Sequence, residues 1–160
     1  MQREDVNTVL SDPLAQELFA SPVLARLANN GPDGYPRVIP IGYLWSENRF
    51  IVCTATNAPK VSALQANPKV ALTVDTETQP PHVLLVRGTA SVEIVDGVPS
   101  EFLEASRKYF PPEQWQGFET QSRALYPQMA RISITPDWAK LLDFETRLPV
   151  AVQQLVARRA

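Results

Sequence analysis

A succession of short apolar stretches cut by tight-turn residues constrains this chain most. Asn29-Asn30-Gly31-Pro32-Asp33-Gly34 is dense in turn formers, and Asp33-Gly34 is a common hairpin pair. Before it, Val23 to Ala28 alternates, with Val23, Ala25 and Leu27 on one face. After it, a strand is predicted from Arg37 to Trp45. Ser46-Glu47-Asn48-Arg49 turns the chain again, and Phe50 to Thr54 forms the next strand. Two hairpins in succession predict an antiparallel meander.

The pattern continues along the chain. Pro59 to Asn67 is short and helical, with Val61, Leu64 and Gln65 toward one side, and Asn67-Pro68 stops it. Val70 to Val74 is a strand. Val83 to Val95 is a long strand interrupted by Gly88, which marks a bulge or a close backbone approach. Asp96-Gly97 turns it. Helices are expected from Ser100 to Tyr109, ended by Pro111-Pro112, and within Glu113 to Leu125. Ala130 to Thr135 and Trp138 to Phe144 are the last strands. Asp12-Pro13 starts a short helix near the N-terminus, with Asp as cap and Pro at the first helical position. The tail, about residues 146–160, holds a short helix from Val150, and Arg158-Arg159 suit its C-terminal end. The fold class is mainly β with inserted helices, about six to seven antiparallel strands in a small barrel, as one domain over residues 1–160.

Several function classes are excluded by composition. The formal net charge of -2 gives no electrostatic reason to bind nucleic acid. No apolar run approaches a membrane span, and the polar start Met-Gln-Arg-Glu-Asp lacks the apolar core of a signal peptide. A cytoplasmic location is the expectation. With one cysteine, Cys53, and one histidine, His82, a zinc site of those ligands cannot form within one chain. Cys53 lies in an apolar run and reads as a core residue. His82 follows Pro80-Pro81 and reads as a strand-edge residue, with no G-x-S-x-G elbow to make it part of a triad. The glycines contain no G-x-G, so there is no dinucleotide fingerprint, and there is no P-loop either.

Lys60 is the positive signal. It stands where a helix begins, at the positive end of the helix dipole, where a cation is disfavoured. Beside Thr54, Thr56 and free backbone N–H groups, it makes sense when an anion joins them. The competing reading is a solvated lysine beside ordinary strand threonines. A phosphate at this point suggests a nucleotide cofactor.

These pieces together resemble the pyridoxamine 5'-phosphate oxidase-like superfamily of flavin-binding split β-barrel proteins. The matching segments are Gly34-Tyr35-Pro36-Arg37-Val38-Ile39-Pro40, the strand ending Thr54-Ala55-Thr56, Lys60, and Asn67-Pro68-Lys69-Val70-Ala71-Leu72. Val86-Arg87-Gly88-Thr89-Ala90 is similar to the family's glycine-marked strand. The resemblance implies a split β-barrel homodimer with FMN between the protomers and a small-molecule substrate. By position, Arg37, Val38, Ile39 and Pro40 would run beside the flavin ring and ribityl chain. Thr54, Ala55 and Thr56 would lie along the ribityl-phosphate end, and Lys60 would hold the phosphate. Trp138 is similar to an aromatic that some members bring from the second protomer; core packing is the equal alternative.

Departures narrow the expectation. Ala63 stands where members often have asparagine, and Ala58-Pro59 replaces the basic residue or serine that often precedes the lysine. The arginine- and histidine-bearing C-terminal segment of true pyridoxamine-phosphate oxidases has no counterpart here, which points away from the vitamin B6 reaction. The expected function is flavin-mediated hydride or electron transfer on a small molecule. The alternatives are an F420-dependent reductase on the same fold and a non-enzymatic flavin or haem binding protein. No catalytic acid or base stands out; His82, Tyr43 and Arg87 are pocket candidates.

Overall fold

The computed structural model describes residues 2–158, so the Arg159 half of the basic C-terminal pair lies outside the described residues. Two helices come first, α1 (Arg3–Leu10) and α2 (Pro13–Ala20). The strands are β1 (Ala25–Asn30), β2 (Pro36–Ile41), β3 (Leu44–Ser46) and β4 (Arg49–Ala55). Helix α3 (Pro59–Ala66), β5 (Lys69–Asp75) and β6 (Val83–Asp96) follow. Helix α4 (Ser100–Ser106), a 3-10 turn at Pro112–Gln114 and α5 (Trp115–Leu125) lead into β7 (Gln128–Leu142) and α6 (Val150–Ala157).

The seven strands form one antiparallel sheet in the order β2-β1-β5-β6-β7-β4-β3. Its two edges, β2 and β3, are consecutive in the chain and separated only by Gly42-Tyr43. The sheet therefore curls until one bent segment joins both edges, which is how a split barrel closes. The single strand expected from Arg37 to Trp45 is thus two strands at opposite ends of the sheet. Gly42 permits the bend: a Cβ there would stand 2.9 Å from the Tyr109 ring. Alternation alone could not show the break, because Tyr43 keeps its side chain inward and fully buried across it.

The turns behave as their residues dictate. Asp12 accepts a hydrogen bond from the Leu14 N–H at 2.9 Å and caps α2. Gly34 has φ +82 in the first hairpin. Glu47 and Asn48 both have positive φ, the conformation of a two-residue hairpin turn matched to strand twist.

Two further expectations are corrected. The stretches expected as two strands, Ala130–Thr135 and Trp138–Phe144, form one strand, β7, which runs through Pro136 and ends at Leu142, two residues before Phe144. The pairing shifts there, with Arg87 opposite Trp138 and Gly88 opposite Pro136, so Asp137 is the extra residue of a bulge. A bulge is where an interior strand tolerates proline. The bulge signalled by Gly88 exists, but its extra residue is on the partner strand. Gly88 supplies the close approach: a Cβ would fall 2.6 Å from the Thr135 carbonyl oxygen. Helix α1, not expected from its polar composition, places Val6 and Leu10 one turn apart in the core.

The core fills the barrel with Leu27, Leu72, Leu84, Ile132 and Ile134 from the inward faces of the central strands. Beneath α2 it is aromatic. Phe19 stacks on Trp45 at 4.4 Å and meets Phe50 edge-on at 5.5 Å. The Tyr43 hydroxyl donates to the Leu18 carbonyl at 3.3 Å. Tyr43 is therefore a core residue and not a pocket residue. In α3 the inward residues are Val61, Ala63 and Leu64, while Gln65 is exposed, contrary to its expected place on the buried side.

Candidate functional site

The pocket is assembled where β4 ends and α3 begins, against the start of β2. Ala55 closes β4 and its carbonyl accepts from the Ala58 N–H at 3.1 Å, turning the chain into the helix. Pro59 fixes the first helical position, and Lys60 follows in the first turn. Ala58, the cap residue, has no side-chain oxygen, so the leading amides of α3 receive no side-chain cap.

Lys60 is half-buried, and burial pushes its amine below the ordinary lysine range. Its Nζ donates to Thr54 Oγ1 at 3.3 Å. Among the described residues no carboxylate pairs with it, whereas Asp33 pairs with Arg37 Nη2 at 3.3 Å. The Tyr35 N–H, donating at 3.2 Å, together with Arg37 holds Asp33 below the usual carboxylate range. Gly31 makes room for this arginine; a side chain there would run into the guanidinium.

Arg37, Ile39, Lys60, Pro59 and Asn29 line one pocket of about 250 Å³. Thr54 joins it through its bond to Lys60. Val38 and Pro40 do not: strand alternation turns them to the other face, where Val38 is 63% exposed. Any contact from these two on the pocket side would be through their backbone. Ala55 sits at the turn, and Thr56 is exposed beyond it. Trp138 stands apart from this pocket, on the outward side of the sheet at the bulge. The Arg87 guanidinium lies over its ring at 4.7 Å.

Asn29 is a functional candidate that the sequence reading missed. It is buried, and its side-chain N–H donates to the Asn30 carbonyl at 3.3 Å. Within Asn29-Asn30-Gly31 it reads as a turn former. The available signal was the alternation of Ala25 and Leu27, which places residue 29 inward; a polar residue on an inward position marks a site.

Burial pushes the Cys53 thiol up to about 12, which keeps it protonated and unreactive. The His82 backbone N–H donates to Thr76 Oγ1 at 3.0 Å and so closes the loop between β5 and β6. No group of three metal-ligating side chains occurs among the described residues. No helix among them is long and apolar enough to cross a membrane.

The donor set fits a phosphate. A partly desolvated ammonium, with no counter-ion among the described residues, and a guanidinium line one small concavity at the start of a helix without a side-chain cap, and the Thr54 hydroxyl bonds the ammonium. At about 250 Å³ the pocket is smaller than the roughly 300–1,000 Å³ of ordinary ligand sites, so it suits one end of a cofactor and not the whole.

An antiparallel barrel closed by one bent strand, with helices inserted at its ends, is a split β-barrel. The chain belongs to the pyridoxamine 5'-phosphate oxidase family, whose profile matches residues 11–141. No curated protein matches it. Among solved structures it is similar to an F420 reductase, at 25% identity over 78% of this chain and 94% of that one, with a TM-score of 0.61. It also resembles a conserved hypothetical protein from Mycobacterium tuberculosis, at 18% identity over 91% of each chain and a TM-score of 0.64. The heme storage protein HutZ from Vibrio cholerae aligns at 16% identity over 82% of this chain and 93% of that one, with a TM-score of 0.58. The last two likenesses speak to the fold.

Proposed function

We propose that this chain is an oxidoreductase of small molecules that holds the phosphate end of FMN in the Lys60 pocket. The observation that carries the reading is Lys60 itself, half-buried at an uncapped helix start with no carboxylate paired to it among the described residues. Lys60 Nζ and its own backbone N–H, the first that α3 offers after Pro59, hold the phosphate, with the Thr54 hydroxyl oriented by the lysine. Ala55 and Thr56 flank that end. Arg37 and Ile39 line the approach, and the backbone of Val38 and Pro40 borders the ring. When bound, the flavin supplies hydride or electron transfer, and the protein supplies position and electrostatics.

The small size of the pocket supports a second element of the proposal, a homodimer. One chain leaves the remainder of a flavin uncovered, and Tyr35 in the turn before β2 is 73% exposed and Val38 on the outward side of β2 is 63% exposed. A second copy covers both, and its Trp138 reaches the cofactor from the other side.

A second reading replaces FMN with the deazaflavin F420. It is favoured by the 25% identity to an F420 reductase. The Lys60 pocket serves it equally, because both cofactors carry a phosphate.

Titrating FMN and F420 separately into wild type and Lys60→Ala tests both. The substitution should weaken the true cofactor about ten- to a hundred-fold, as expected when one charge-assisted contact is lost. Equal dissociation constants in the two proteins would place the phosphate elsewhere and end both readings. Whichever cofactor wild type binds more tightly is assigned. Light scattering that gave a mass near 17.8 kDa would refute the dimer.

A further inference from the structure

Asn29 is the buried amide of the Lys60 pocket, and the packing of the barrel gives no reason for it. On the inward side of β1 the chain reads Ala25, Leu27, Asn29, and the first two are core residues. Asn29 continues that row and is only 6% exposed. The register sets it between Arg37 of β2 and Val70 of β5. Val70 is buried and apolar, so an apolar side chain at position 29 would extend the core without burying an amide.

We propose that Asn29 is a specificity residue of this pocket. Its Oδ1 accepts a hydrogen bond from a hydroxyl on the carbon chain that carries the phosphate, so the site selects polyol phosphates over phosphates on a bare hydrocarbon chain. The inference rests on the reading of Lys60 as the phosphate contact.

The first argument is the hydrogen-bond account of the amide. An asparagine offers two N–H donors and one acceptor oxygen. Nδ2 donates to the Asn30 carbonyl at 3.3 Å, and this bond orients the amide. Among the described residues nothing donates to Oδ1. A buried acceptor without a donor costs free energy, so native sites supply one from protein, water or ligand. A ligand hydroxyl does what a water would do there, with its position fixed by the phosphate beside it.

The second argument is complementarity. Asn29, Arg37, Ile39, Pro59 and Lys60 line the pocket, and Asn29 has the only side-chain acceptor of the five. Lys60 and Arg37 can only donate, which suits the oxygens of a phosphate. An acceptor has nothing to meet on an ionised phosphate, so it faces a donor on the rest of the ligand. The amide accepts without carrying charge. A carboxylate at the same place would pair with the cations and oppose the anion.

The third argument is space. At about 250 Å³ the pocket has room beyond a phosphate, so the first carbons of the attached chain enter with their hydroxyls. Ile39 and Pro59 give those carbons an apolar wall.

The test compares D-ribitol 5-phosphate with n-pentyl phosphate, which share chain length and phosphate and differ in hydroxyls. Both are titrated into the full chain and followed by amide chemical shifts. Asn29→Leu keeps the size of the side chain and removes the acceptor. It should weaken ribitol phosphate roughly three- to tenfold and leave pentyl phosphate within about twofold. A merely structural role would weaken both alike. Lys60→Ala should weaken both by a similar factor. Melting temperatures report folding, and Asn29→Val, a good strand former, carries the test if Asn29→Leu does not fold. An equal response of the two ligands to a folded Asn29 variant, while Lys60→Ala weakens both, overturns this inference and leaves the phosphate reading standing. Unchanged binding of both ligands in Lys60→Ala, or no saturable binding of ribitol phosphate to wild type, overturns the phosphate reading and this inference with it.

Discussion

Lys60 and Lys108 are both partly buried lysines, and they stand at opposite ends of helices. Lys108 reaches the C-terminal end of α2, where its Nζ donates to the Phe19 carbonyl at 3.1 Å and sits 4.0 Å above the Tyr43 ring. That carbonyl is one that the helix leaves without an internal partner, and a cation there is favoured by the dipole. Lys60 stands in the first turn of α3, where the dipole opposes it, and its partner is a single hydroxyl. The protein itself satisfies the charge of Lys108. Lys60 is left in need of something from outside. The same residue type is thus structural at one corner and a ligand contact at the other, and the helix end decides which.

Three measurements can break or sharpen that contrast. The largest effect should come from Trp45→Ala, which opens the aromatic cluster under the Lys108 corner. A loss of about 3 kcal/mol is expected, the lower end for a large aromatic truncated in a core, since Trp45 is only partly buried. Calorimetry and an FMN titration on the same variant would check it. A normal melting temperature with weakened FMN binding would show that the two corners are not separate.

A smaller effect is expected from Lys108→Met. It strips the Phe19 carbonyl of its donor and should cost about 1–3 kcal/mol in urea unfolding. Lys60→Met should stay within about 0.5 kcal/mol of wild type, because it gives up one 3.3 Å hydrogen bond to a hydroxyl and relieves a partly buried charge. Equal losses in the two variants would remove the distinction.

The smallest effect is in pH. Burial pushes Lys108 down to about 8, from the ordinary value of 10.5 that the unfolded chain retains. The shift is downward, so between those values the unfolded state binds more protons, and stability rises with pH. Below about pH 8 the burial penalty is present in full; above 10.5 it is gone. Because the side chain is partly exposed, solvent screening reduces the gain to about 1 kcal/mol. Burial raises the Tyr43 phenol well above its usual range, which acts oppositely above pH 10. The difference between wild type and Lys108→Met isolates the lysine, because Tyr43 is common to both. A flat difference from pH 8 to 10 would mean that the Tyr43 face and the Phe19 carbonyl compensate the burial completely.

Much of the fold was legible because its punctuation is local. Pro59 and Asn67-Pro68 bound α3 where backbone sterics require it, and Glu47-Asn48 turns where Ser46 to Arg49 was read as a turn. Of the candidate site, the approach of Lys60 to Thr54 followed from chain proximity across a short turn. Arg37 and Ile39 reach the same pocket as Lys60, and Val38 and Pro40 face away, as alternation requires. Asn29 escaped because two local meanings compete at one residue: turn former by composition and inward strand position by alternation. The helical start of the chain escaped for a related reason. Val6 and Leu10 are few apolar residues among polar ones, and they become a buried face only because the barrel offers them an opening.

The sequence by itself determined where this chain turns, where α3 starts with a cation out of place, and that Gly88 marks an irregular pairing. These depend on φ limits, caps and the steric needs of neighbours, all set within a few residues. The tertiary structure alone decided which strands meet. It split one alternating run at Gly42-Tyr43 and sent its halves to opposite edges of the sheet. It fused two expected strands through Pro136, and it aligned Arg87 with Trp138 across the bulge. Those outcomes depend on pairings between residues tens of positions apart. Alternation gives each strand two equivalent faces and no partner, so only closure of the barrel fixes which residues share a pocket.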